Sequence, residues 1–248
     1  MTRSVLLHWL LPALFLVFAT YILDIRQFDL AVADTIYFLE GSSWQLRNSW
    51  LLETLMHKGG RILVVLLVLS VLGLLTSTWL STSMRRYRAG LTYLFIAVAI
   101  SLGLISLFKG LTHINCPWDL FRYGGKFAYV PMDNALFGNG GGRCFPAGHA
   151  SGGYAWIALY FVCLFYWPQW RYLGLGIGLV LGLVFGAAQE FRGAHFLSHD
   201  IWTLAICWYT ALGVYHAYYT YYANYARGDR LADSWNGFRS EKAPVATQ

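Results

Sequence analysis

Three polar clusters hold the residues whose types and spacing suit chemistry. They are Lys109 with Cys116-Pro117, then Pro146-Ala147-Gly148-His149, then Arg192-Gly193-Ala194-His195 running on to Ser198-His199-Asp200. Charged residues are scarce, 12% of the chain, yet they gather where apolar runs end. Two separated histidines, a lysine, arginines and a carboxylate are the groups needed to bind a phosphate and displace it. Cationic donors hold its oxygens, a nucleophile attacks in line, and an acid protonates the leaving group. Imidazole suits either of the last two tasks, because its ordinary pKa of about 6.5 keeps both protonation states within reach. A nucleophilic imidazole presents one nitrogen while an acceptor holds the proton on the other, and Asp200 is the expected acceptor. Lys109, Arg192, Arg122 and Arg143 are the candidate phosphate donors. Backbone N–H groups at Ala147 and Gly148 would add the positive end of a helix.

Apolar helices must bring these clusters together. Of 248 residues, 57% are hydrophobic and 18% aromatic, whereas soluble domains run at about 45–50% apolar with about 25% charged residues. A membrane span needs about 20 mainly apolar residues. Six stretches qualify: 5–23, 62–80, 91–108, 150–167, 173–189 and 200–220. The expected fold is therefore all-α, a polytopic bundle of six transmembrane helices over residues 1–225, with a flexible cytoplasmic tail over 226–248. The first stretch follows Met1-Thr2-Arg3, lacks a small-x-small cleavage site before Asp24, and is longer than a signal-peptide core, so it reads as a retained helix. Trp44 to Leu55 reads as a separate helix lying in the interface. Residues 109–149 form the longest connection and are expected to carry the active site; Gly138 to Gly142 within it reads as a flexible loop.

Topology decides whether the clusters meet. Six spans with both termini in the cytoplasm put Lys109, His149, His195 and Asp200 on one outer face. Arg85, Arg86, Arg88 and Arg171 then fall inside, as the positive-inside rule asks. Lys58, Arg61, Lys109, Arg122, Lys126, Arg143 and Arg192 fall outside against that rule, which implies an anionic ligand there. The net charge of +6 is not gathered into a basic domain, so no nucleic-acid partner is expected. Cys116 and Cys144 share the outer loop and are expected to form a disulfide, whereas Cys163 and Cys207 lie in apolar runs and read as packing residues. No Cys-x-x-Cys or His-x-x-x-His set accompanies Cys116 and Cys144, and cations stand where a divalent metal would want carboxylates; neither metal nor cofactor is expected. His8, His57, His113 and His216 read as packed or interfacial, and Gly174, Gly176 and Gly178 as sites of close helix packing.

The clusters resemble the phosphatidic acid phosphatase type 2 superfamily, the lipid phosphate phosphatase and haloperoxidase fold. Its motifs are Lys-x6-Arg-Pro, Pro-Ser-Gly-His and Ser-Arg-x5-His-x3-Asp. Lys109 and Pro117 keep the first spacing, with Cys116 in the arginine slot. Pro146, Gly148 and His149 match the second, with Ala147 in the serine slot. Gly193-Ala194-His195-Phe196 is similar to the core of the third, with Arg192 three residues before His195 rather than six, and His199 in the aspartate slot ahead of Asp200. The resemblance implies an integral-membrane phosphatase, at a bacterial inner (plasma) membrane with its site facing the periplasm or exterior. Its substrate would be a lipid phosphate or diphosphate, hydrolysed through a phosphohistidine. His195 would be the nucleophile, His149 the acid, Lys109 and Arg192 phosphate ligands, and Asp200 the group orienting His195. A second alignment makes His199 the nucleophile. A phosphotransferase using the same site, and a lipid-binding or transport protein with a degenerate one, are the alternatives.

Overall fold

A chain made of long apolar runs satisfies its backbone polar groups within helices, because a bilayer offers them no water. The computed structural model describes residues 6–132 and 141–240, with 219–240 as backbone. Gly138 to Gly140 and the last eight residues of the expected tail thus lie outside the described residues. Within the described residues the regular secondary structure is helical, and the isolated bridge between Leu120 and Phe127 is the only β feature. Helix α1 is Leu6–Ile25, α2 is Phe28–Leu39, α3 is Trp50–Leu80 and α4 is Arg88–Leu111. Helix α5 covers 148–166, as Gly148–Tyr154 and Leu159–Tyr166 joined by a 3-10 turn, Ala155–Ala158. Helix α6 is Arg171–Glu190 and α7 is Leu197–Ser240.

Among the described residues, four helices are long and apolar enough to cross a membrane: Leu6–Ile25, Trp50–Leu80, Arg85–Leu111 and Pro168–Glu190. The fourth and sixth expected spans correspond to α5 and α7, which are not among the four. The position of α5 explains its composition. It is the centre of the bundle, where Tyr154, Trp156, Ile157 and Phe161 pack against Tyr93, Leu94 and Val98 of α4 and Cys207, Ala211 and Leu212 of α7. A helix walled by protein is selected for close fit rather than for lipid solubility, and its first turns read Gly-His-Ala-Ser-Gly-Gly. Helix α1 docks on α7, where the Trp208 indole donates to the His8 carbonyl at 2.9 Å and the Tyr209 hydroxyl to the Trp9 carbonyl at 2.9 Å.

Helix α6 lies against α5 along Gly174, Gly178 and Gly182 and against α7 at Gly186, one residue per turn. A Cβ on Gly174 would come 2.7 Å from the Leu159 carbonyl oxygen, and one on Gly178 2.7 Å from Ile157 Cγ2. On Gly182 it would overlap the Tyr154 ring, and on Gly186 the Asp200 carboxylate. Gly176 faces open space, so the expected close packing holds at Gly174 and Gly178 only. Gly186→Ala must therefore displace the Asp200 carboxylate from its place on α6. The expected result is a loss of about 1–3 kcal/mol, read as a lower melting temperature in detergent. Gly176→Ala, the control, should change stability by no more than about 0.5 kcal/mol.

Two elements differ from the sequence expectation. Trp44 to Leu55 does not form a separate interfacial helix. Gln45–Asn48 is a short 3-10 turn, and Trp50–Gly59 is a π-helical stretch that continues directly into Gly60–Leu80. Ser49 starts it by accepting the Leu52 N–H on its hydroxyl at 3.3 Å, and Gly59 and Gly60 keep helical dihedrals, so nothing stops the helix before Leu80. Helix α7 runs on to Ser240, so 226–240 of the expected flexible tail is helical.

Candidate active site

Lys109 lies in the last turn of α4, the end of a helix that favours a cation. Its Nζ sits 3.5 Å from where a Cβ on Gly148 would be, ordinary van der Waals distance, so the ammonium lies against the first residue of α5. From there the ammonium acts electrostatically on His149, His195, His199 and Asp200. All three sequence clusters therefore converge at one end of the bundle.

The six-residue link between α6 and α7 delivers His195. Helix α6 ends in a Schellman cap: the Gly193 N–H donates to the Glu190 carbonyl at 2.9 Å and the Ala194 N–H to the Gln189 carbonyl at 2.9 Å. Gly193 has φ 68°, and a Cβ there would come 2.5 Å from the Trp44 ring, so both dihedral and space demand glycine. Helix α7 is capped from a distance, the Ser198 N–H donating to Asp29 Oδ1 at 3.0 Å. Between the two caps His195 is buried, with its Nδ1 3.4 Å from Nδ1 of His199. His199 is itself 2% exposed and meets Phe145 and Phe196 edge-on, at 5.4 and 5.5 Å between ring centroids. Burial first, then the Lys109 charge and the neighbouring His199, pushes the His195 pKa well below the usual 6.5. The neutral, nucleophilic form is the one favoured.

Cys116 and Cys144 are joined in a disulfide with Cα atoms 5.2 Å apart. Cys144 is the pivot: its N–H donates to the Ile114 carbonyl at 3.0 Å, and its Sγ lies 3.2 Å from the Ala194 carbonyl oxygen. Its own carbonyl faces the imidazoles of His195 and His199. The Trp118 N–H, just beyond Cys116, donates to the Gly193 carbonyl at 3.0 Å. The arginine slot of the first motif thus holds half of a clamp on the His195 link.

Other expected site residues are engaged elsewhere. The Asp200 carboxyl packs on Gly186 and hydrogen-bonds with Glu190, while the group at His195 Nδ1 is His199. Rotation about α7 is the reason: His199 in its first turn faces the link that carries His195, whereas Asp200, the next residue, is turned about 100° from it. Arg122 donates to both carboxylate oxygens of Asp34, at 2.6 and 2.5 Å, so its fork is already committed. The Ala147 N–H donates to Thr203 Oγ1 at 2.9 Å and is not available as the expected phosphate donor. Arg143 is exposed beside Cys144. Arg192 is buried; it donates to the Arg47 carbonyl and to Gln189 Oε1, each at 2.8 Å, and pairs with Glu53. Gln189 stands six residues before His195, where the third motif wants arginine, and the Arg192 guanidinium reaches back one turn to meet it.

One turn of α3 enters the site without having been expected there. The Met56 carbonyl lies 3.0 Å from His149 Nε2 and can only accept, so that nitrogen carries the proton. The His57 ring lies 4.8 Å from His149, Phe185 lies 4.9 Å from it on α6, and Glu53 bridges Arg192 and Lys58. His57 had read as an interfacial histidine. The sole hint in the sequence was the excess of outer cations, Lys58 and Arg61 among them.

Asp29 carries a pH dependence. It is 3% exposed, and burial raises its pKa from 3.8 to about 6. The folded state therefore holds a proton that the unfolded chain has lost, and stability falls as pH rises from about 4 to 6. The difference amounts to about 3 kcal/mol. Asp29→Asn keeps an acceptor for the Ser198 N–H and removes the ionisation. Melting curves of the variant are expected to be flat across that window, and above pH 6 the variant should equal or exceed the wild type.

No curated protein and no solved structure matches the chain. The family model of the PAP2 superfamily matches residues 90–223, more than half of the chain, and that segment contains Lys109, the Cys116–Cys144 clamp, His149, Arg192, His195 and His199. With this match and the convergence of its three polar clusters, the protein belongs to the PAP2 superfamily.

Proposed function

We propose that the protein is an integral-membrane phosphatase that removes phosphate from a lipid phosphate or diphosphate at the outer face of the membrane. The observation that carries this reading is the meeting of Lys109, His149 and His195 at one end of the bundle, in a chain of a phosphatase-type superfamily. The outer orientation is supported by the disulfide, which favours an oxidising compartment, and by Arg85, Arg86, Arg88 and Arg171 near the other ends of the helices.

In this mechanism the lone pair on His195 Nε2 forms the P–N bond while the bond from phosphorus to the leaving oxygen breaks. With the anionic substrate bound, His149 carries a proton on both ring nitrogens; the leaving oxygen takes the one on Nε2, replacing the Met56 carbonyl as its acceptor and leaving a neutral imidazole. Water then attacks the phosphohistidine, its proton passes to His149, and the P–N bond breaks to release inorganic phosphate. Lys109 neutralises charge on the transferring oxygens, and Arg192 joins it when released from Glu53.

A specific observation favours a second reading, a lipid-binding or transport protein with a degenerate site: the Arg192 guanidinium and the Ala147 N–H are already occupied by Glu53 and Thr203. The two readings separate in one experiment. Purified protein in detergent is offered phosphatidic acid, phosphatidylglycerol phosphate, a polyprenyl diphosphate and lipid A, with chelator present, and inorganic phosphate is measured. Turnover of at least one substrate is expected. Binding of these lipids without any turnover supports the degenerate reading and rejects the enzyme.

A further inference from the structure

Two buried imidazoles, His195 on the link and His199 in the first turn of α7, meet through their ring nitrogens without a carboxylate between them: His195 Nδ1 and His199 Nδ1 are 3.4 Å apart. A nitrogen–nitrogen contact of this kind is attractive only if one partner carries a proton and the other a lone pair. We infer that His199 is the positioning residue for His195, accepting the Nδ1 proton on its own Nδ1 and so leaving the His195 Nε2 lone pair directed at the substrate. The kinetic part of this inference rests on the phosphatase reading; the tautomer does not.

Four observations converge on it. Asp200, the expected holder, is turned away and spends its carboxyl on Glu190. His199 cannot swing, because Phe145 and Phe196 flank its ring, the Thr203 hydroxyl donates to its carbonyl at 2.7 Å, and its N–H donates to the Phe196 carbonyl at 3.1 Å. The small cavity beside His195 is lined by α2 residues from Asp29 to Ile36 and by Glu190, Phe196 and Leu197, and His199 is not among its walls. Finally, His195 sits two residues before α7 and His199 in its first turn, so the caps at Gly193 and Ser198 that fix the link also fix the two rings against each other.

The consequence is chemical. A carboxylate in this place would stabilise a positive His195, whereas a neutral imidazole accepts the proton without supplying charge. The other charged or titratable groups bearing on His195 are Lys109 from α4 and His149 from α5, with Asp29 and Glu190 lining the cavity beside it. Burial and Lys109 both disfavour the cation, so His195 stays neutral and nucleophilic well below the usual imidazole range. Such an enzyme keeps its activity further into acid than one built on a histidine–carboxylate pair.

The Cys144 carbonyl also faces both rings and is the rival holder. The test separates the two. Full-length protein with 15N-labelled histidine is examined by NMR in detergent, His195 being identified by its loss in His195→Ala. The proton should sit on Nδ1 of His195 in the wild type and redistribute between the ring nitrogens in His199→Ala. A proton that stays on Nδ1 in that variant assigns the role to the Cys144 carbonyl and overturns the inference, as does a wild-type proton on Nε2. In the kinetic arm, His199→Ala should lower kcat by about 10²–10⁴-fold, the scale of losing a tautomer-fixing partner, with KM within a fewfold of wild type. His199→Asp should recover kcat to within about tenfold of wild type and move the acid limb of kcat/KM to higher pH by a unit or more. A folded His199→Asp as inactive as His199→Ala, or an unmoved acid limb, overturns it. If phosphate release fails for every lipid offered, the NMR arm still decides the positioning.

Discussion

His195→Ala is expected to reduce phosphate release by about 10⁴–10⁶-fold, the range seen when a sole nucleophile is deleted, with substrate binding changed by less than about tenfold. His195 stands where a nucleophile must: at the N-terminal approach to α7, between two helix caps, buried, neutral, and within the field of Lys109. Alanine removes the only atom proposed to bond to phosphorus while leaving Lys109 and Arg192 to hold the substrate, so kcat carries the loss. Lipid substrate carrying 32P, quenched during turnover in base, should leave label on the wild type and none on the variant. Retention of activity within tenfold would reject His195 as the nucleophile. Label recovered on His199 would move the chemistry four residues along and reject the assignment of His199 as holder.

Opening the Cys116–Cys144 disulfide should cost stability and activity together. The bridge spans a sequence separation of 28, for which the chain-entropy model gives about 3–4 kcal/mol. Its catalytic role follows from what Cys144 touches. Its sulfur lies against the Ala194 carbonyl, its carbonyl faces His195 and His199, and Trp118 beside Cys116 holds the Gly193 carbonyl. Releasing the clamp frees the link that aims the nucleophile, and a shift of about 1 Å at a reacting atom costs about 10²-fold. The paired Cys116→Ser, Cys144→Ser variant should therefore melt earlier and turn over about 10²-fold more slowly, and reductant should do the same to the wild type. If the variant melts earlier but keeps full turnover below its transition, the bridge is a staple alone and the His195 link holds itself.

The sequence by itself determined the helical class of the chain and pointed to the groups that meet at one end of it. Apolar runs of membrane length require helices, and counting them led to the expectation that Lys109, His149 and His195 share one end, where the structure brings them together. Paired cysteines flanking one outer loop pointed to the bridge that the structure contains. Those inferences succeed because they depend on local composition and on counting. What the sequence could not determine was which partner each side chain meets, because that depends on helix rotation and on distant segments.

Asp200 was the natural holder by charge, but its rotation about α7 sends it to Glu190 and Gly186 and leaves His199 facing His195. Arg122 was a plausible phosphate donor until α2 presented Asp34. Glu53, Met56 and His57 lie more than 90 residues before His149 and outside the matched family segment, yet one turn of α3 places them on His149 and Arg192. Even helix α5, whose glycines and serine make it a poor span by composition, takes that composition from its place in the middle of the bundle. Backbone periodicity is encoded locally and can be read in one dimension. The choice of partner is settled by packing in three dimensions, where burial and the geometry of a helical face decide which of several chemically equivalent groups comes within reach.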